Sequence, residues 1–143
     1  MARIKLQFPE HILSSVEVRV RITDINYGNH LGNDAMVSIL HEARVLWLQQ
    51  LGYTEMNIEG HSIIMSDLYI NYLKESFYGD LLKIELGVDV VSAAGFELCY
   101  RISCHRDEKE ILIAIAQTGI LFFDYHNRKV VPLPPAFKSK LIV

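Results

Sequence analysis

The sequence predicts an α+β domain in which one long helix packs on an antiparallel sheet of five to six strands. Three observations lead there. Apolar and polar residues alternate at period two in separate runs, as in strands with one buried and one wet face. One stretch alone follows the 3.6-residue helical period at length. The chain has 143 residues, 50% hydrophobic and 22% charged, which is the size and balance of a single compact domain over 1–143.

Each element has its own signal. Val16, Val18, Val20 and Ile22 alternate with Glu17, Arg19 and Arg21 and predict the first strand. Between Asp24 and Asn33, Gly28, Gly32, Asn26 and Asn29 favour positive φ and local side-chain bonds, so the segment reads as a structured turn. Met36, Ile39, Leu40, Ala43, Leu46, Trp47 and Leu51 then give an amphipathic helix of about five turns. Asn33 or Asp34 is its expected N-cap and Gly52 its stop. Strands follow at about residues 62–73, 81–91, 96–104 and 111–124. Leu82, Ile84, Leu86, Val88 and Val90 alternate with Lys83, Glu85 and Asp89, the pattern of an antiparallel sheet with one solvated face. The last run is apolar almost throughout, so burial on both faces is expected, under the helix or at a subunit contact. Turns are expected at Tyr78-Gly79-Asp80, Ala94-Gly95 and Asp107-Glu108. The tail at 130–136 holds Pro132, Pro134 and Pro135, which lack amide donors and cannot continue a sheet interior. One helix covers only part of such a sheet, so at least a homodimer, or a homotetramer, is expected.

Composition narrows the partners. Fourteen Lys and Arg against seventeen Asp and Glu give a net charge of -3, which offers no footprint for nucleic acid. No apolar run approaches the roughly 20 residues that span a bilayer, and the N-terminus shows no signal-peptide pattern. No membrane partner and a cytoplasmic location are the expectations. Cys99 and Cys104 have opposite parity in one strand, which argues against a disulfide between them. The histidines lack metal-ligand spacing and no phosphate-binding glycine loop is present, so neither metal nor cofactor is expected.

The run Val20-Arg-Ile-Thr-Asp24-Ile-Asn26-Tyr-Gly28-Asn-His30-Leu-Gly-Asn33, followed by His41-Glu42-Ala43-Arg44, closely resembles the N-terminal signature of hotdog-fold thioesterases of the 4-hydroxybenzoyl-CoA and acyl-CoA group. Ile70-Asn-Tyr72 and Phe77-Tyr78-Gly79-Asp80 resemble the family's second-strand segment and its Tyr-Gly-Asp turn. Val131-Pro132-Leu133-Pro134 and Phe137 resemble its C-terminal end. The resemblance implies a sheet wrapped around one central helix and an acyl-thioester site at a subunit interface. Its substrate would be an acyl-CoA or acyl-carrier-protein thioester, with coenzyme A present only as part of the substrate. There is one departure: where the family places its carboxylate nucleophile or base, this chain has Asn26, and an amide can do neither job.

Thioester hydrolysis needs an activated water, donors for the oxyanion and a channel for the acyl and pantetheine arms. The unpaired amides at the helix start, near Asn33 and Asp34, supply oxyanion donors from backbone alone. Asp24 shares parity with Asn26 and is either a replacement base or a brace for the turn. Asn26 could orient water or bond the thioester oxygen. His30 is either a general base or a loop-bracing histidine. Plant acyl-carrier-protein thioesterases, which resemble this loop, use an Asn and a His there, with the Asn at the position of Gly28. Glu42, on the helix, is either a base or one half of a salt bridge, with Arg44 or a neighbouring subunit. Tyr27, Ser66 and Tyr72 are candidate substrate-binding residues, Ser66 and Tyr72 through shared strand parity. Met36, Trp47, Phe77 and Phe96 read as core or acyl-pocket wall. Lys74, Arg101 and Lys138 are candidate partners for coenzyme A phosphates. Two functions compete: a thioester hydrolase, and a silent thioester-binding module that has lost its nucleophile. A hydratase reading is weaker, because adjacent His41 and Glu42 point about 100° apart on a helix.

Overall fold

A computed structural model describes residues 4–141. The chain order is β1 (Ser14–Arg19), a 3-10 turn (Ile22–Asp24), α1 (Asn33–Gln50), β2 (Ser62–Tyr72), β3 (Leu81–Val91), β4 (Gly95–Arg106), β5 (Lys109–Asp124), β6 (Lys129–Val130) and α2 (Pro135–Leu141). Every strand pair is antiparallel, and the strands lie in the order β1-β3-β4-β5-β2. β6 pairs with Phe123 and Asp124, just beyond the end of β4. β1 and β2, the strands flanking α1 in sequence, are therefore the two edges of the sheet.

The helix buries Met36, Ile39, Leu40, Ala43, Trp47 and Leu48 against one face of the sheet, chiefly Leu82, Ile84, Leu86, Leu98, Tyr100, Ile102, Ala114, Ala116, Ile120 and Phe122. Each large apolar side chain so buried contributes about 1.5–3 kcal/mol relative to exposure. At its C-terminus, Tyr53 N donates to Leu48 O at 2.8 Å and Gly52 N to Gln49 O at 3.0 Å. This is a Schellman closure, and Gly52 adopts the φ of +83° that it requires. Asp107 and Glu108 both have positive φ and form the β4–β5 hairpin turn.

The structure departs from the sequence reading at several places. The helix is capped by Gly32, one residue before Asn33 and two before Asp34, the expected caps, because the Gly32 carbonyl takes the first helical bond, from Met36 N. β1 ends at Arg19, and Ile22 turns outward in the 3-10 turn. A bulge between Val88 and Val91 reverses the alternation of β3 and leaves Val90 exposed. A second bulge, between Met65 and Asp67, removes Ser66 from the face of Tyr72. The tail does leave the sheet at its prolines, but it goes on to form α2, whose Phe137 is fully buried against Trp47, Tyr53, Phe96 and Phe122. Within one chain only one face of β5 is fully buried, which leaves the subunit-contact alternative for its other face open. Part of the opposite sheet face is covered by the N-terminal segment: Leu6 N donates to Asn71 Oδ1, Phe8 lies under Arg101, and Pro9 and His11 back onto Gly87. Cys99 and Cys104 are both buried and unbridged, and burial pushes the Cys99 thiol up to about 11.

Candidate active site at the start of the long helix

The loop before α1 is fixed from within. The Asp24 carboxylate accepts Arg21 N at 2.8 Å, and its own carbonyl accepts Gly32 N at 2.9 Å. Asn26 N donates to His30 O, Asn29 N to Asn26 O, and Gly28 N to Asn26 Oδ1, so the chain doubles back through an Asx turn. Asn29 takes the positive φ of 67° that an asparagine tolerates. Leu31 N then donates to Ser76 O at 2.7 Å, which ties this loop to the connection between β2 and β3.

Between the two loops and the helix start lies a cavity of about 300 Å³. Asn26, His30, Gly32 and Asn33 line one side, Tyr72, Lys74 and Glu75 the other, and Met36 and Ile113 the apolar floor. His30 Nδ1 lies 3.1 Å from the Leu31 carbonyl. A carbonyl only accepts, so in the neutral ring Nδ1 carries the hydrogen and Nε2 the lone pair. Nε2 in turn stands 3.7 Å from Glu75 Oε2. A Cβ on Gly28 would come within 3.0 Å of Nε2, so the missing side chain leaves the ring its space. The Asn26 oxygen is committed to Gly28 N, so the Nδ2 donors are the part of that amide left for a ligand.

The helix start completes the wall. The first turn's amides point outward and carry the positive end of the dipole. Asn33 Oδ1 accepts Asp34 N at 3.1 Å, and the Asn33 carbonyl accepts the Tyr72 hydroxyl at 2.8 Å. Burial first, and the nearby Asp34 charge second, raise the Tyr72 hydroxyl above its ordinary value, so it remains a neutral donor. Asp34 leans over Gly32, where a Cβ would stand 2.6 Å from its Oδ1.

Of the residues singled out from sequence, Asn26, His30, Asn33, Met36, Tyr72 and Lys74 meet at this cavity. Asp34 flanks the site without lining it. Asp24 and Glu42 instead line a separate depression on the β1 side of α1, with Arg19 and Arg21. Asp24 there serves its own loop through the Arg21 amide and guanidinium. Glu42 does not pair with Arg44, whose carboxylate partner is Glu55 at 2.7 Å. Tyr27 projects fully into solvent at 105% exposure. Ser66 donates to the Gly119 carbonyl at the edge bulge. Arg101 lies on the opposite sheet face, paired with Glu85. Glu75, Ser76, Leu73 and Ile113 belong to the site and were not anticipated from sequence. For Leu73, Glu75 and Ser76 the only signal was proximity in the chain to the Phe77-Tyr78-Gly79-Asp80 turn, and Ile113, in β5, had none. Among the described residues, no group of three His, Cys, Asp or Glu side chains is placed to hold a metal ion.

Comparison with curated proteins finds no match. Comparison with solved structures finds many. A 1,4-dihydroxy-2-naphthoyl-CoA thioesterase from Synechocystis shares 24% identity at a TM-score of 0.78, over 89% of this chain and 93% of that one. A DHNA-CoA thioesterase from Staphylococcus aureus shares 21% at 0.78, over 89% and 87%. An Asp-to-Asn variant of 4-hydroxybenzoyl CoA thioesterase, solved with 4-hydroxybenzoyl CoA, shares 14% at 0.81, over 90% and 98%. These likenesses establish the hotdog fold: an antiparallel sheet on a central helix, here with the short α2 added. The model of the thioesterase-like superfamily matches residues 20–141, from the end of β1 through the site and the whole sheet to α2, and the chain belongs to that superfamily.

Proposed function

We propose that this chain hydrolyses an acyl-CoA or acyl-carrier-protein thioester to the free acid and the thiol, with the cavity at the start of α1 as its site. The observation that carries this reading is the convergence of an imidazole lone pair, an amide and a helix N-terminus on one cavity of about 300 Å³. Support for the substrate class comes from superfamily membership and from similar structures that are CoA thioesterases.

The residues divide the work as follows. Water bonded to His30 Nε2 gives up a proton as its oxygen attacks the thioester carbon. The imidazolium so formed is offset by Glu75 and held in register by the Leu31 carbonyl. Negative charge moving onto the carbonyl oxygen is met by the first amides of α1 and by Asn26 Nδ2. The C–S bond then breaks, and the departing sulfur takes the proton from Nε2, which restores the neutral ring. Lys74 is the cation placed for a coenzyme A phosphate. A homodimer is part of the same proposal, because β2 is a long edge strand bordering the site. So is a cytoplasmic setting, for which two reduced, buried thiols are the support.

A second reading, a thioester-binding module without turnover, is favoured by Asn26 standing where the resemblance to hotdog thioesterases implies a carboxylate. Thiol release from short, long and aromatic acyl-CoAs, measured with wild type and Asn26→Asp side by side, separates the two. The carboxylate introduced by this substitution keeps an acceptor for Gly28 N, so the loop should survive the change. We expect release by wild type and faster release by Asn26→Asp, because a gained carboxylate base outweighs the lost Nδ2 donor; slower release would show that the amide's part at the oxyanion dominates. A silent wild type with activity only in the variant would establish the binding module instead.

A further inference from the structure

We infer that the seam between α1 and β2 continues past the site into a second, polar subsite at Arg44, which receives an oxygen carried at the far end of the acyl group. This rests on the thioester reading above and names its substrate class: acyl chains bearing a distal hydroxyl or carboxylate.

Arg44 is the anomaly that points to it. It sits on the core side of a helix whose other inward residues are apolar, and its side chain is only 8% exposed. Its Nε donates to Glu55 Oε2 at 2.7 Å and its Nη1 to the Tyr100 hydroxyl at 3.2 Å. Tyr100 in turn shares a 2.8 Å bond with Thr118, and His41 Nε2 meets Glu55 Oε1 at 2.6 Å. A guanidinium has five N–H donors. Nη2 has no protein partner among the described residues, yet none of their sealed side-chain nitrogens or oxygens is left unbonded. Nη2 therefore keeps accessible surface. Arg44 also bounds a cavity of about 110 Å³, together with Ser38, His41, Met65, Leu68 and Thr118.

The cavity's position ties it to the reaction. Tyr72, Leu68 and Met65 all face α1 from β2, Tyr72 at the first cavity and the other two at the second. Ser38 is five residues beyond Asn33, about 7.5 Å along the helix axis. Arg44 is further along, but helical side chains lean back toward the N-terminus, so its head approaches the site. An acyl chain with its carbonyl at the helix start and its body along this seam brings its end to Nη2. Glu55 already balances the guanidinium charge, so the ligand group need only accept hydrogen bonds. If the network were purely structural, one carboxylate and one hydroxyl would suffice and the facing cavity would be filled by side chains.

The test uses non-hydrolysable thioethers, so that it does not depend on turnover. S-alkyl-CoAs from hexyl to dodecyl and their ω-hydroxy counterparts are titrated calorimetrically into wild type, Arg44→Lys and Met65→Trp. Lysine keeps a charge for Glu55 but loses the fork, and tryptophan on the half-exposed edge fills the cavity while removing none of the network's hydrogen-bonding groups. The expected result is an optimum chain length at which the ω-hydroxy ligand binds about tenfold more tightly than its alkyl counterpart, with that ratio falling toward one in both variants. Equal binding of the two ligand series at every length, or a ratio unmoved by Met65→Trp, overturns the subsite while leaving the thioester site standing. Failure of every thioether to bind overturns both. If Arg44→Lys does not fold, Met65→Trp alone decides.

Discussion

His30 is the residue on which the chemistry depends, because the Leu31 carbonyl fixes its tautomer and so decides which nitrogen can take a proton. His30→Ala should lower kcat by about 10²–10⁴-fold with little change in KM, since general-base catalysis acts in the transition state. Steady-state thiol release measures this, and a variant retaining wild-type kcat removes His30 from the mechanism. Asn26 and His30 reach one cavity because both sit in one short loop, and that loop was legible in the sequence as a structured turn from its glycines and asparagines. Glu42 lies outside this cavity for a geometric reason. It lies nine residues beyond Asn33, and nine steps of 100° put it on the opposite side of the helix, over the depression it shares with Asp24. Ser66 was misplaced because one extra residue in an edge strand reverses which face a side chain takes, and no local pattern announces a bulge. Glu75 could not be found at all without the Leu31 to Ser76 bond that brings the two loops together.

Among the elements, the connection from β2 to β3 does most to hold the site's far wall, and Asp80 is its fixed point. Burial alone would raise this carboxyl. The Phe77 amide, the Arg106 guanidinium and the Ser76 hydroxyl together hold it below the usual carboxylate range. A carboxyl depressed in the fold contributes stability that is present above its unfolded value, near 4, and that is lost as pH falls through the lower folded value. Asp80→Asn should therefore cost about 2 kcal/mol at neutral pH. The gap to wild type should close on acidification below about pH 4. Urea unfolding at a series of pH values tests this, and a gap that stays constant with pH would mean that the ionised carboxylate contributes nothing. Strands with clean alternation, such as the first half of β3, were legible almost residue by residue. The seven-residue α2 was not, because three prolines dominate the local signal while its stability comes from Phe137 entering a ring of aromatics distant in sequence.

For the whole molecule, the sheet order creates a problem that a single chain leaves unsolved. β1 is a short edge of six residues, but β2 is an open edge of eleven. On and just past it, Met65, Tyr69, Tyr72 and Leu73 are 42–45% exposed. A long edge carrying large apolar side chains is a template for pairing with another strand, and in a closed homodimer the strand that matches it is a second β2. The cavity at the helix start is bordered by Tyr72 and Leu73 at the end of this same strand, so such a joint would also wall the site. Sedimentation equilibrium should give a mass near 33 kDa, twice the 16.4 kDa of one chain. Tyr69→Lys places a like charge from each copy in the same joint, and at about 0.2–1 kcal/mol per unfavourable strand contact the dimer should weaken measurably. If β2 is the joint, thiol release per chain should fall in parallel as this variant is diluted into its monomer range. A variant that becomes monomeric while keeping full activity would show that each copy builds its site alone.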